Sequence, residues 1–107
     1  MAKSEPETFE SVRDELTDIP GVVAGKMFGM PVLKINGKAF AGANGAAMVF
    51  KLDAVALARA LAIPEVGHFD PMGGRPMREW VEVPAAQAEH WLALSRAALD
   101  YVRQLSK

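Results

Sequence analysis

The stretch from His68 to Val83, HFDPMGGRPMREWVEV, holds the residue types that acid–base chemistry and anion binding use. His68 and Asp70 alternate, so on a strand they would share one face and could act as acid and base or as neighbouring metal ligands. The Gly-Gly-Arg-Pro turn that follows could offer backbone N–H groups to an anion, with Arg75 and Arg78 beside it as a clamp. One hypothesis is therefore a small-anion-binding protein or an enzyme that uses these four side chains.

Other features favour a purely structural turn at the same place. No third metal ligand accompanies the histidine and the aspartate, and no helix begins at the glycines to add its N-terminal dipole. None of the four serines lies in a glycine-flanked nucleophile elbow, and the chain has no cysteine to serve as a nucleophile, a disulfide or a zinc ligand. Gly37 to Gly42 has the glycine spacing of a P-loop, but Ala43-Asn44 follows where a lysine and a hydroxyl residue are required. We therefore expect no catalytic residue, no metal and no cofactor.

Two strands must position the opening stretch. HFDPM and REWVEV flank the glycine pair, and Pro76 prevents a helix there. In REWVEV the side chains alternate, so Val81 and Val83 share the face that meets the helices and Trp80 lies on the other face with Arg78. Because a large aromatic beside an arginine is typical of contact surfaces, we predict an exposed Trp80 and self-association or partner docking around it. The alternative is that a loop, a helix end or a bulge buries the ring. The candidate contacts for an anion or a partner are Arg75, Arg78 and Trp80.

A helix is predicted near the N-terminus. Ser4 and Glu7 form a capping-box pattern, with Pro6 in the first turn. Apolar residues then recur at helical spacing until Pro20-Gly21 stops the run. These apolar residues are Phe9, Val12, Leu16 and Ile19.

Short apolar runs punctuated by glycine follow, and they predict strands: VVAGKMF, PVLKI, KAFAGA and AAMVF. Asn36-Gly37 and Asn44-Gly45 each supply two residues that tolerate positive φ, as tight hairpin turns require. Pro31 cannot donate to a strand ladder, so FGMPV is interpreted as a kink or bulge in one long strand. Five methionines fall in or near these runs and the later hairpin, where we favour core filling over an adaptable contact surface.

Two more helices complete the order. Asp53 is placed to cap AVALARALA, whose apolar contacts are predicted from Val55, Leu57, Ala58 and Leu61. After Pro84 the longest helix carries a stripe of Trp91, Leu94, Ala98, Val102 and Leu105. The sequence therefore predicts one α+β domain over residues 1–107, with about five antiparallel strands in a two-layer fold and the helices on one face of the sheet.

Charge limits the possible partners. The net charge is −1, so no global positive field draws the chain to nucleic acid or to an anionic membrane, and we expect no tight nucleic-acid binding. Residues 21–78 nevertheless carry seven basic and three acidic residues, which leaves open a weak nucleic-acid-binding module. That alternative would need its cations clustered on the open sheet face, and the candidates are Lys26, Lys34, Lys38, Arg75 and Arg78. No apolar leader or membrane-spanning window is present, so a cytoplasmic location is expected.

Three segments also carry a family resemblance. KMFGMPVLKINGKAFAG, FDPMGGRPMREWVEVP and WLALSRAALDYV together resemble the N-terminal domain of the TfoX/Sxy competence regulators, in a short stand-alone form. The resemblance runs from about Phe9 to Leu105 and implies a two-layer α+β fold of the order α-β(3)-α-β(2)-α. It implies a bacterial protein with a regulatory or protein-interaction role, with a protein partner or a homodimer, and it supplies no catalytic or ligand residues. Full regulators of the family carry a second, C-terminal helical domain, which is absent before Lys107.

Overall fold

The computed structural model describes residues 8–27, 29–70, 74 and 77–105. These described residues form three α-helices and six strands, with a 3₁₀ turn at Ala85–His90. The helices are α1 (Phe9–Thr17), α2 (Ala54–Leu61) and α3 (Trp91–Leu105). The strands are β1 (Val22–Met27), β2 (Met30–Ile35), β3 (Lys38–Asn44), β4 (Ala47–Lys51), β5 (Gly67–Phe69) and β6 (Met77–Val83). No helix among the described residues is long and apolar enough to cross a bilayer.

The strands form one antiparallel sheet in the order β1-β2-β3-β4-β6-β5. The four strands before α2 are a continuous meander, and the helices pack on one face, so the predicted two-layer α+β fold is confirmed. The sheet has one strand more than the expected order, because the chain reverses at FGMPV instead of bending there. Met27 pairs with Met30 across a two-residue loop whose Gly29 has φ +77°, a value that suits glycine.

The two predicted Asn-Gly turns differ. Asn36 and Gly37 both have positive φ, at 54° and 79°, as a type I′ turn requires. Asn44 instead is the last residue of β3, and the second loop is Gly45-Ala46 with φ +62° at Gly45. Only its first central residue has positive φ, which is the pattern of a type II′ turn. Both hairpins are therefore confirmed, but the second uses its asparagine in the strand.

The helix ends follow capping rules, with some shifts from the predicted positions. Helix α1 begins at Phe9, and Thr8 and Ser11 cap it reciprocally with two hydrogen bonds of 3.0 Å; Ser4 and Glu7 lie outside the described residues. Asp53 caps α2 as predicted, accepting from the Ala56 N–H at 2.9 Å. The residues just after Pro84 form the 3₁₀ turn, with non-helical φ and ψ at Gln87, and α3 begins only at Trp91.

The main core lies between the sheet and the helices. Its buried residues come from all three helices and from five of the six strands, with Phe40, Phe50, Leu33, Met48 and Leu99 among the largest. Three residues of the predicted helical stripes are not part of it. Val55 is 63% exposed and Leu105 is 48% exposed, and Ala58 is exposed as well.

A second apolar cluster lies on the opposite face of the sheet. Its buried residues are Met30, Val32, Val49, Phe69 and Trp80, and Met27, Ala39 and Met77 pack against it partly buried. We call it the outer cluster. Met30 and Met48 are buried on opposite faces of the sheet, as core filling by methionine predicts.

Candidate functional site

Two clefts lie back to back at the end of the sheet where β2 begins and the β3–β4 turn closes. The helix-side cleft has a volume of about 420 Å³, and the outer cleft on the other face has about 430 Å³. Pro31, Ala43 and Gly45 line both clefts and so form the wall between them. The remaining lining of the helix-side cleft is Thr8, Phe9, Glu10, Ala46, Ala47, Ala85 and Trp91.

Two aromatic rings from distant parts of the chain wall the helix-side cleft. Phe9 is the first residue of α1, and the Thr8–Ser11 cap fixes the first turn of that helix. Trp91 is the first residue of α3, and its side chain is buried. Its indole N–H donates to the Val83 carbonyl at 3.1 Å. Because that buried donor has its acceptor, the indole is held in one orientation. The cleft is therefore a preformed apolar recess with Glu10 as its charged lining residue.

The dividing wall has an interrupted strand ladder. The Asn36-Gly37 turn makes Ile35 a hydrogen-bonded neighbour of β3, so by alternation the backbone nitrogen of Pro31 also faces β3. Proline has no N–H, and the β2–β3 register accordingly stops at Val32 and Gly42, one residue short of Ala43. Pro31 thus ends the pairing and allows the strands to separate where the clefts meet.

The outer cleft is lined by Gly29, Met30, Asn44, Phe69 and Asp70 besides the shared wall. The polar side chains of Asn44 and Asp70 already form hydrogen bonds within the protein. The Asn44 amide donates to Glu82 Oε2 at 2.8 Å, and Asp70 Oδ2 accepts from the Gly74 N–H at 2.8 Å. The carboxylate that the sequence analysis considered for acid–base chemistry therefore already accepts a backbone N–H.

The other members of that predicted constellation do not join it. His68 is exposed on β5 opposite Val81, and Arg78 is exposed on β6. Arg75 lies outside the described residues. Among the residues the structure describes, no group of three or more His, Asp or Glu side chains could hold a metal ion.

Trp80 has the predicted face but not the predicted exposure. Val81 and Val83 point to the helices, and Trp80 points to the opposite face, as strand alternation requires. The ring is nevertheless only 6% exposed, with its centroid 6.2 Å from that of Phe69 at a tilt of 57°. The prediction of an exposed tryptophan is wrong, because Trp80 completes the outer cluster instead of standing on a bare sheet.

The candidate basic residues are not gathered on the open face. Lys26 pairs with Pro31 and Lys38 with Ile35, so both belong to the helix-facing side of the sheet. Lys34 lies on the other side, where its alkyl chain covers Gly25. The cluster that a nucleic-acid-binding module would need is therefore not formed by these three lysines.

A polar cluster that the sequence did not indicate joins α3 to the sheet. The Tyr101 hydroxyl donates to Glu79 Oε2 at 2.8 Å, and Glu79 Oε1 lies 3.6 Å from Lys51 Nζ. The hydrogen bond to Glu79, then burial, then the negative charges of Glu79 and Asp53 raise the pKa of Tyr101 above its usual 10.0. The tyrosine therefore keeps its proton to a higher pH than an exposed phenol does.

Ser95 contributes a buried hydroxyl group to the core. Ser95 on α3 is fully buried, and its Oγ makes no hydrogen bond within the described part of the chain. A buried hydroxyl without a partner destabilises the fold.

Sequence reasoning missed the helix-side cleft, because its walls come from residues near positions 9, 31, 45 and 91. Pro31 alone, which cannot continue a ladder, marked the place.

Comparisons with protein-family models, with curated proteins and with solved structures find no match for this chain.

Proposed function

We propose that this protein is a non-catalytic, regulatory protein-interaction domain that receives an apolar side chain of its partner in the helix-side cleft. The observation that carries the proposal is the lining of that cleft. Phe9, Pro31 and Trp91 surround small alanine residues in a recess of about 420 Å³. Buried aromatic pockets of this kind are where protein interfaces concentrate their binding free energy.

Preorganisation favours binding at this cleft. Trp91 is held by its hydrogen bond to Val83, and Phe9 packs partly buried against the main core, so both rings are already restrained when a partner arrives. A partner therefore loses less free energy to the ordering of side chains than it would on a mobile surface.

Charge indicates what flanks the inserted side chain. Glu10 lines the cleft and forms no ion pair with any described residue, and α1 carries three acidic residues and one basic residue. A basic residue next to the apolar one would therefore complement the rim. The resemblance to the N-terminal domain of competence regulators supports a regulatory role with a protein partner.

The test uses the absence of cysteine from the chain. Ala46→Cys places a unique thiol on the exposed turn that lines the cleft, and Ala62→Cys places one on the exposed C-cap of α2 as the matched control. A thiol-directed cross-linker is then applied in a lysate of the source organism. We expect at least one protein that is captured at Ala46 and not at Ala62.

The captured protein is then purified and titrated against variants that carry a bulky charge. Ala46→Arg should weaken its binding by about tenfold or more, a loss of ~1.4 kcal/mol, whereas Ala62→Arg should leave binding unchanged. Identical capture at both cysteines, or equal affinity of the two arginine variants, would refute the role of the cleft.

A further inference from the structure

Strand β1 forms an edge of the sheet. Among the described residues it pairs with β2 alone, whereas the opposite edge is the three-residue strand β5. Val23 is 54% exposed, and Ala24 and Lys26 are exposed as well. An open strand of six residues can add a further strand through its unpaired backbone groups.

Alternation identifies the groups that face outward. Met27 and Met30 flank a two-residue turn and are a hydrogen-bonded pair, so Met27, Gly25 and Val23 direct their backbone groups to β2. Ala24 and Lys26 direct theirs away from the sheet. Outside the strand ladders, no hydrogen bond among the described residues involves either one. The edge therefore offers two N–H donors and two carbonyl acceptors.

One lysine stands on each face of the sheet at this edge, and the acidic helix α1 also packs against β1 on the helix-facing side. Lys26 stands on the helix-facing side, next to Pro31 in the register. On the other side the Lys34 chain crosses Gly25, with its Nζ 3.4 Å from the position that a Cβ on Gly25 would occupy. Within the described part of the chain neither lysine forms a salt bridge. Val23 adds an apolar contact on the same face as Lys34.

We propose that β1 binds an extended acidic segment of a partner protein as an added strand. Two consecutive residues of that segment would lie opposite Gly25 and Lys26, and their side chains would point to opposite faces of the sheet. If both are acidic, the first would meet Lys34 on the outer face and the second would meet Lys26 on the helix-facing side. An apolar residue opposite Val23 completes the pattern. This surface lies beside the helix-side cleft, because Lys26 pairs with Pro31, and the proposal goes beyond the proposed function.

A second copy of the chain fits the same edge less well. Two β1 strands joined antiparallel around Gly25 would bring two copies of Lys34 together at the axis, with both Lys26 side chains in diagonal positions. Like charges so placed repel each other, whereas an acidic strand is attracted. Charge complementarity therefore selects the acidic segment.

The experiment uses a synthetic eight-residue peptide that alternates threonine and valine around a central pair of glutamates. We expect it to bind with a Kd of about 1 mM or tighter and to shift the amide resonances of Ala24 and Lys26. A peptide with lysines in place of the glutamates, and one N-methylated on the bonding edge, should each bind at least tenfold more weakly, as a charge-matched backbone interaction requires.

Protein variants provide the second arm. Ala24→Pro removes an outward N–H without touching the β1–β2 ladder, and Lys26→Glu reverses one flanking charge; each should weaken peptide binding by about tenfold. Lys38→Glu, on the exposed start of β3, should have little effect. Equal binding of the acidic, basic and N-methylated peptides would overturn the proposal, and so would a stable dimer by light scattering that the acidic peptide does not dissociate. The peptide comparisons decide the matter even if Ala24→Pro does not fold.

Discussion

Gly42 is the glycine at which one added methyl group should lower the stability of the protein most. It lies in β3 opposite Val32, on the face of the outer cluster. A Cβ built there would stand 2.8 Å from Val32 Cγ1, 3.1 Å from the Pro31 carbonyl oxygen and 3.3 Å from Met30 Cε. Val32 is fully buried and β-branched, and the carbonyl belongs to the backbone, so only the methionine can move aside easily.

The expected size of the effect follows from two opposing contributions. Overpacking of a buried site destabilises by about 1–3 kcal/mol. Alanine in a strand gains roughly 0.5–1 kcal/mol over glycine, because the unfolded chain loses less entropy on folding. Gly42→Ala should therefore lower the free energy of unfolding by up to about 2.5 kcal/mol, with a central value of ~1 kcal/mol. Each kcal/mol corresponds to a fall in Tm of about 4–8 °C.

Gly67→Ala is the matched control. Gly67 also lies in a strand on the outer face, opposite Glu82, but a Cβ there would meet no atom within 4 Å. Urea denaturation should show it as stable as the wild type, or more stable by up to about 1 kcal/mol. Val32→Ala should cost less in the Gly42→Ala background than alone, because the closest contact is removed. Equal stability of the two alanine variants would refute the close packing of β2 against β3.

Four further outcomes are expected. Tyr101→Phe should lower stability by about 1 kcal/mol at neutral pH through loss of the bond to Glu79. Because the folded-state pKa of Tyr101 is raised, that difference should persist below about pH 10 and vanish as pH rises through the raised value, which paired melts across pH can check. Glu65 has φ +71° on the exposed α2–β5 loop, so Glu65→Gly should raise stability by up to about 1 kcal/mol in urea titrations. Gly37→Val and Gly45→Val should each destabilise by about 1 kcal/mol or more, and an unchanged melt in both would contradict the hairpin geometry. With a net charge of −1, no sub-micromolar binding to duplex DNA at physiological salt should appear in an anisotropy titration.

Local rules in the sequence determined much of the fold. Asn36-Gly37 specifies a turn because both residues accept positive φ, and the spacing of Val12 and Leu16 specifies a helix face. The alternation at Val81 and Val83 fixed which face of β6 meets the helices. Each of these features depends on neighbours within a few residues, so the chain order alone contains the information.

Only the tertiary structure decided how those elements cover one another. Trp80 points where alternation requires, yet its burial depends on Phe69 and the rest of the outer cluster, which come from other strands. The helix-side cleft exists because the fold brings Phe9, Pro31 and Trp91 together on the helix-facing side of the sheet. No local sequence pattern links positions so far apart. Likewise the pKa of Tyr101 depends on Glu79, a residue 22 positions away that the packing of α3 brings within hydrogen-bonding distance. Periodicity in the sequence predicts which face of a helix or sheet a residue lies on. Its exposure depends on which other parts of the chain pack against that face.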